Sequence, residues 1–307
     1  AGPAHGIQTT HKDARAIVEG VGEGQAHAQR VISGLFRIPL DVPTPANRRF
    51  RARMRRLDAL AYRLIADCRA HLERSPDEPH DHVLAMLVEA RDETGAPLPD
   101  QQIRDELLTL LSAGHETTSN ALSWTLWLLS QHPSVARTLQ AEVDAVLEGR
   151  APTIEDLGKL KFTRAVIDES MRLRPPVWLT GRMALEDHDI EGRHIAKDSA
   201  VLISPWVTQR SPELWDNPLG FDPERWLEPA DRHPFAFFPF GGGARKCIGE
   251  AFAYLEATLV LAMIAQRMRL DLVPGHPVVP QPQITLGFEH GLLMQAAART
   301  PTESGTV

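Results

Sequence analysis

Apolar residues recur at helical spacing at Phe50, Met54, Leu57, Ala61, Leu64, Cys68 and Leu72, which predicts one amphipathic helix. Cys68 lies on its apolar stripe, as a core thiol does. A shorter helix fits Val83–Arg91. Gly95, Pro97 and Pro99 then break the chain, and Asp100 stands where an N-cap belongs. From there a long helix is expected to about Gln131, with Leu107, Leu111, Gly114, Thr118, Ala121, Thr125 and Leu128 along one face. Pro133 suits the first turn of the next helix, which stops near Gly149. Thr153 and Asp156 have capping-box spacing, and a further helix covers Phe162–Leu173 before Pro175-Pro176. Strand-like runs follow at Thr180–Leu185, Asp189–Ile195 and Ala200–Ser204. Residues 205–246 read as irregular coil. A last helix is expected over Ile248–Leu270, with strand-like pieces near Gln283–Leu286 and Gly291–Gln295. The fold class is therefore mainly α with small β-sheets. One domain is expected over residues 1–307, in which 1–46 form a helical approach segment and a Pro-rich linker, Pro39–Pro45.

Composition narrows the function classes. Hydrophobic residues make up 43% and charged residues 24% of 307, ordinary values for a globular chain. The net charge of −7 argues against broad nucleic-acid binding. The arginines at 48, 49, 51, 53, 55 and 56 are accordingly expected to form a solvated helix face. Two cysteines, Cys68 and Cys247, are too few for a disulfide framework and fit a reducing compartment. No apolar run is long enough to span a membrane.

The most informative stretch is Phe238-Pro239-Phe240-Gly241-Gly242-Gly243-Ala244-Arg245-Lys246-Cys247-Ile248-Gly249. Consecutive glycines allow close approach to a flat ligand. Cys247 is expected directly before a helix, whose unpaired N–H groups and dipole favour a thiolate. Such a thiolate is a nucleophile or a metal ligand. A nucleophile needs a base, and none is evident nearby, whereas an axial thiolate on heme iron needs no second protein ligand. Arg245 suits a propionate carboxylate, and Phe240 suits packing against the sulfur and the porphyrin face.

These residues resemble the heme-binding signature Phe-x-x-Gly-x-Arg-x-Cys-x-Gly of the cytochrome P450 superfamily, with Phe240, Gly243, Arg245, Cys247 and Gly249 in its fixed positions. Two further motifs fall in the family's order. Ala113-Gly114-His115-Glu116-Thr117-Thr118 is similar to its oxygen-binding helix. Gly114 inside a helix costs about 1 kcal/mol relative to Ala, and cofactor approach with a local helix distortion is the expected reason. Glu169 and Arg172 resemble the Glu-x-x-Arg pair, joined in the family by an Arg that Arg225 resembles. Trp226 stands where family members often carry Phe. Arg182 resembles a second cation placed on a propionate.

The resemblance implies heme b (iron protoporphyrin IX), with Cys247 as the iron ligand. Arg245, Arg182, Phe240, Gly241, Gly249, Ala113 and Gly114 would lie around it. Thr117 and Glu116 would deliver protons, and Glu169, Arg172 and Arg225 would be structural. The implied activity is a monooxygenase that inserts one oxygen atom from O2 into a hydrophobic small molecule. Electrons would come from a ferredoxin- or flavodoxin-like donor with its reductase, with Arg245 and Lys246 as a basic docking face. Substrate contacts are expected from the oxygen helix, from Val177–Leu179 and from the turn at Gly287-Phe288. The alternatives are a peroxygenase or hydroperoxide isomerase or dehydratase on the same fold, or a non-catalytic heme-binding fragment. The match runs from about residue 30 to the end, so a cytochrome P450 fold lacking its N-terminal part is expected. The composition resembles bacterial members, which implies a cytoplasmic protein.

Overall fold

The computed structural model describes residues 10–34, 38–76 and 82–299. Residues 1–9 and 35–37 of the expected approach segment lie outside this range. Two compact units emerge, residues 1–115 and 116–307.

In the first unit, α1 (His11–Ser33) opens with a capping box that the sequence analysis passed over. Thr10 Oγ1 accepts from the Asp13 amide, and Asp13 Oδ2 accepts from the Thr10 amide at 2.8 Å. α2 (Pro45–Arg74) and α3 (Val83–Glu89) follow. Leu60, Leu64, Ile65 and Cys68 of α2 pack with Leu84, Ala85 and Val88 of α3 and with Ile103. Cys68 is fully buried, and burial pushes its thiol up, as suits an inert core side chain. The arginine-rich start of α2 is only partly a solvated face. Arg49 pairs with Glu23 at 3.0 Å, Arg53 with Glu19 and Arg51 with Asp41 at 2.9 Å. Opposite charge on α1 and the connecting loop accounts for the difference.

α4 (Asp100–Gln131) is the longest helix. Asp100 is its first residue rather than its cap, because the Pro99 carbonyl already accepts from the Ile103 amide. Its carboxylate instead favours the positive end of the helix and pairs with Arg69 at 2.7 Å. The helix is uninterrupted through Gly114, so the distortion expected there is not seen.

The second unit is built on α5 (Pro133–Leu147), α6 (Lys161–Leu173) and α8 (Glu250–Arg267), with the four-residue α7 (Pro205–Thr208) between. Val143 and Leu147 of α5, Val166, Ile167 and Met171 of α6 and Leu261 and Ala262 of α8 form its core with Leu128 and Leu129. Among the described residues, this unit also contains four two-stranded antiparallel sheets. β1 (Thr180–Met183) pairs with β4 (Ala200–Ile203). β2 (His188–Ile190) and β3 (Arg193–Ile195) form a hairpin between them. The sequence reading took these two as one strand. Glu191 and Gly192, with φ of 48° and 78°, make the tight turn that separates them. β6 (Pro280–Pro282) pairs with β7 (Leu286–Phe288), and β5 (Met268–Leu272) with β8 (Met294–Ala298). The end of α8 is therefore three residues earlier than expected, because Met268 onward joins a distant strand. Among the described residues, no helix is long and apolar enough to cross a membrane.

α6 is buried on nearly every side, although it carries Asp168, Glu169, Ser170 and Arg172. Its polar groups are met by distant parts of the chain. Glu142 of α5 accepts from the amides of Phe162 and Thr163 at 2.6 and 2.7 Å, capping α6 from another helix. At the other end, Gln209 Nε2 donates to the carbonyls of Met171 and Arg172.

Glu169 and Arg172 are both fully buried and form a two-pronged pair at 2.9 Å on each prong. The remaining Arg172 donors reach the carbonyls of Gln209, Pro218 and Gly220 at 2.7–2.9 Å, so all five guanidinium N–H groups are used. Glu169 also accepts from Arg225 Nε at 3.1 Å, the Asp222 amide at 3.0 Å and Trp226 Nε1 at 2.9 Å. The tryptophan at position 226 thus adds a donor that phenylalanine lacks.

Two substitutions test this cluster in urea unfolding. Arg172→Lys cannot reproduce the fork and leaves Glu169 short of partners, so a loss of about 3–5 kcal/mol is expected. Trp226→Phe removes one hydrogen bond to a buried charge and is expected to cost about 1.5–3 kcal/mol.

Candidate functional site

The segment from Phe238 to Gly249 is tied into a closed loop. The Phe238 amide donates to Gln209 Oε1 at 2.9 Å, which links the loop to the end of α6. The Gly241 amide donates to the Phe238 carbonyl at 2.9 Å, and the Cys247 amide returns to the Phe240 carbonyl at 3.0 Å. Gly241 and Gly243 adopt φ of 71° and 68°, the left-handed region that favours glycine. At Gly242 the reason is space, since a Cβ there would stand 2.6 Å from the Phe235 ring.

α8 begins at Glu250 with Gly249 as its cap, two residues later than expected. Cys247 is therefore held by the loop, three residues ahead of the first helical position. A Cβ at Gly249 would meet Cys247 Sγ at 3.8 Å, an ordinary contact. The Cys247 thiol is exposed. Beside it in sequence, Ile248 is 93% exposed and Phe252 66% exposed. These two side chains offer apolar contact surface on the segment that carries the thiol. The donor chemistry is one soft sulfur, and among the described residues no group of three or more His, Cys, Asp and Glu is placed to hold a metal ion. A flat apolar macrocycle that brings its own metal and in-plane donors fits this combination.

The other expected residues fall in separate places. Phe240 is half-buried and packs on Tyr254 at a ring separation of 5.0 Å. Arg245 is exposed, at the end of a 3-10 turn spanning Gly243–Arg245. Arg182 is exposed on β1, where it donates to the Gly181 carbonyl at 2.9 Å. Ala113 and Gly114 are exposed on α4, and Glu116 and Thr117 are half-buried there. A Cβ at Gly114 would meet nothing within 4 Å. Glu169, Arg172 and Arg225 come together as described above, with Glu169 and Arg172 fully buried and Arg225 mostly so. Lys246 is less available than a free surface cation, since it pairs with Glu250 at 2.6 Å.

Several supporting residues carried no sequence signal. Tyr254 on α8 donates its hydroxyl to Asp168 on α6 at 2.6 Å. Burial pushes the Asp168 carboxyl above its ordinary value, against the pull of Arg164 and of the tyrosine hydroxyl. Burial also raises the Tyr254 phenol. Arg174, directly after α6, lies among Trp124, Trp127 and Trp206, and burial followed by repulsion from Arg210 lowers it to about 10. Gly287-Phe288, expected as a turn, is instead part of β7, because it pairs with Pro280 and Gln281 of β6; next to it, Asn120 Nδ2 donates to Thr285 Oγ1 at 3.0 Å and Trp124 Nε1 to the Leu286 carbonyl at 2.9 Å.

Comparison with known proteins gives the same reading. Residues 12–295 match the family model described as Cytochrome P450, which extends the resemblance further forward than the motifs do. The chain is 43% identical over 266 residues to cyclooctatin synthase of Streptomyces melanosporofaciens, covering 83% of this chain and 57% of that protein. It is 38% identical over 281 residues to pentalenene oxygenase of Streptomyces avermitilis, covering 88% and 61%. The crystal structure of the cytochrome P450DA heme domain matches with a TM-score of 0.81 at 31% identity, over 93% of this chain and 61% of that one. The chain thus spans 57–61% of the length of these three proteins. A mainly helical fold, a glycine loop presenting one thiol and a family match over most of the sequence agree: the chain belongs to the cytochrome P450 family.

Proposed function

We propose that this chain carries the thiolate-bearing part of a heme-dependent monooxygenase acting on a hydrophobic small molecule. The observation that carries the reading is the exposed Cys247 thiol on a closed glycine loop, next to the exposed apolar side chains of Ile248 and Phe252. Heme is the family's cofactor, and held by a cysteine thiolate it would supply O–O bond cleavage. Cys247 would bind the iron. Arg245 and Arg182 would neutralise propionate carboxylates. Phe240, Gly241 and Gly249 would lie against the macrocycle, the glycines leaving room for it. Thr117 and Glu116 hold and pass protons from α4, a role in which a hydroxyl and a carboxyl one residue apart are chemically matched.

The relatives' names, pentalenene oxygenase among them, support oxygen insertion into an apolar hydrocarbon-type substrate. Val177–Leu179 and Gly287-Phe288, which lies on β7 rather than in a turn, would supply apolar contacts to it. A separate ferredoxin- or flavodoxin-like protein supplies electrons. Its docking face near the cysteine loop is close to charge balance, because Lys246 pairs with Glu250 and Arg164 with Asp168.

The reduced, carbon monoxide-bound absorption spectrum of the heme-loaded protein tests the ligand. A strongly red-shifted Soret band is expected, and Cys247→Ala abolishes it. A wild-type band of the histidine or neutral-thiol type overturns the assignment. Thr117→Ala is expected to keep that band while oxygen consumption outruns product formation. Unchanged coupling in that variant removes Thr117 from proton delivery.

A further inference from the structure

The support behind the cysteine loop is specific to a few residues of α6 and α8. Resting on the heme-thiolate reading, we infer that Tyr254 is a positioning residue for the Cys247 thiolate and acts through Phe240.

Tyr254 is 8% exposed and belongs to the main core of its unit. Three contacts fix its ring. Its hydroxyl donates to Asp168 Oδ1 at 2.6 Å. The Arg164 guanidinium lies over one face, 3.1 Å from the ring centroid, while Arg164 Nε binds the other Asp168 oxygen at 2.9 Å. The Phe240 ring packs against it at 5.0 Å with a 54° tilt. Phe240 in turn supplies the carbonyl that accepts the Cys247 amide at 3.0 Å. Asp168 to Tyr254 to Phe240 to the Cys247 amide is thus a continuous chain of contacts from a buried helix to the residue that bears the sulfur.

The hydroxyl and the ring have different tasks. Asp168 is a mostly buried carboxylate, so it must be met by donors, and Tyr254 and Arg164 meet it from two sides. That demand fixes the height of the tyrosine ring along α8. The ring then forms the wall on which Phe240 rests. Gly241, Gly242 and Gly243, which follow Phe240, carry no side chains that could pack there in its place. Without the wall, Phe240 shifts, and its carbonyl no longer holds the Cys247 amide at one distance. A sulfur whose own amide is no longer anchored loses its fixed direction toward a bound iron, and partners behind a ligand are what fix that direction.

The test compares three variants of the heme-loaded protein by their reduced, carbon monoxide-bound spectra, with urea unfolding measured alongside. Tyr254→Leu removes the wall and is expected to move the larger part of the absorption from the thiolate band to the neutral-thiol band. Tyr254→Phe keeps the ring against Phe240 and is expected to retain the thiolate band. Leu261→Ala, a fully buried α8 position, lowers stability by a similar route through the core and is expected to retain the thiolate band as well. A Tyr254→Leu protein with the wild-type proportion of bands overturns the inference, as does Leu261→Ala losing the thiolate band to the same extent. A wild-type protein lacking that band overturns the heme-thiolate reading itself, and the inference with it.

Discussion

Burying Glu169 beside Arg172 constrains most of the second unit. Two charges withdrawn from water demand complete hydrogen bonding, and the chain supplies it from segments 37 to 57 residues away. The Gln209, Pro218 and Gly220 carbonyls converge on the guanidinium. The Asp222 amide, Arg225 and Trp226 converge on the carboxylate. A coil with little regular structure is thereby fixed in one path. Its order comes from the charge it must satisfy rather than from a ladder of its own.

Gln209 carries this constraint to the site. One side chain caps the carbonyls at the end of α6 and holds the Phe238 amide, where the cysteine loop begins. The loop then closes between Phe240 and Cys247, with glycines at the positions that need a left-handed backbone or the space beside Phe235. The sulfur is presented by backbone geometry, and the residues that do so are mostly incapable of chemistry. The same logic holds α6 at its start, where Glu142 caps it from α5.

The motifs that identify the family are legible because they are local. Phe240, Gly243, Arg245, Cys247 and Gly249 fall within ten positions, and Ala113 to Thr118 within six. Their spacing is set by one loop and one helix, so it survives as a pattern along the chain. The supporting residues left no such trace. Tyr254 and Asp168 stand 86 positions apart, and Glu142 caps a helix some 20 residues on. Element ends were misplaced for the same reason. The apolar run after Cys247 reads as helix to Leu270, yet Met268–Leu272 pairs with Met294–Ala298, and strand pairing with a distant partner overrides local propensity.

By itself, the sequence determined a helical chain with small sheets, a glycine-framed cysteine, an acid–threonine pair on a long helix and a Glu-x-x-Arg pair. Each is a short-range pattern that backbone periodicity or turn geometry writes directly into residue order. Tertiary structure alone decided which charges are paired, which helix ends are capped from elsewhere and what stands behind the cysteine loop. Those outcomes depend on burial, and burial is a property of segments brought together, so no window along the chain contains it.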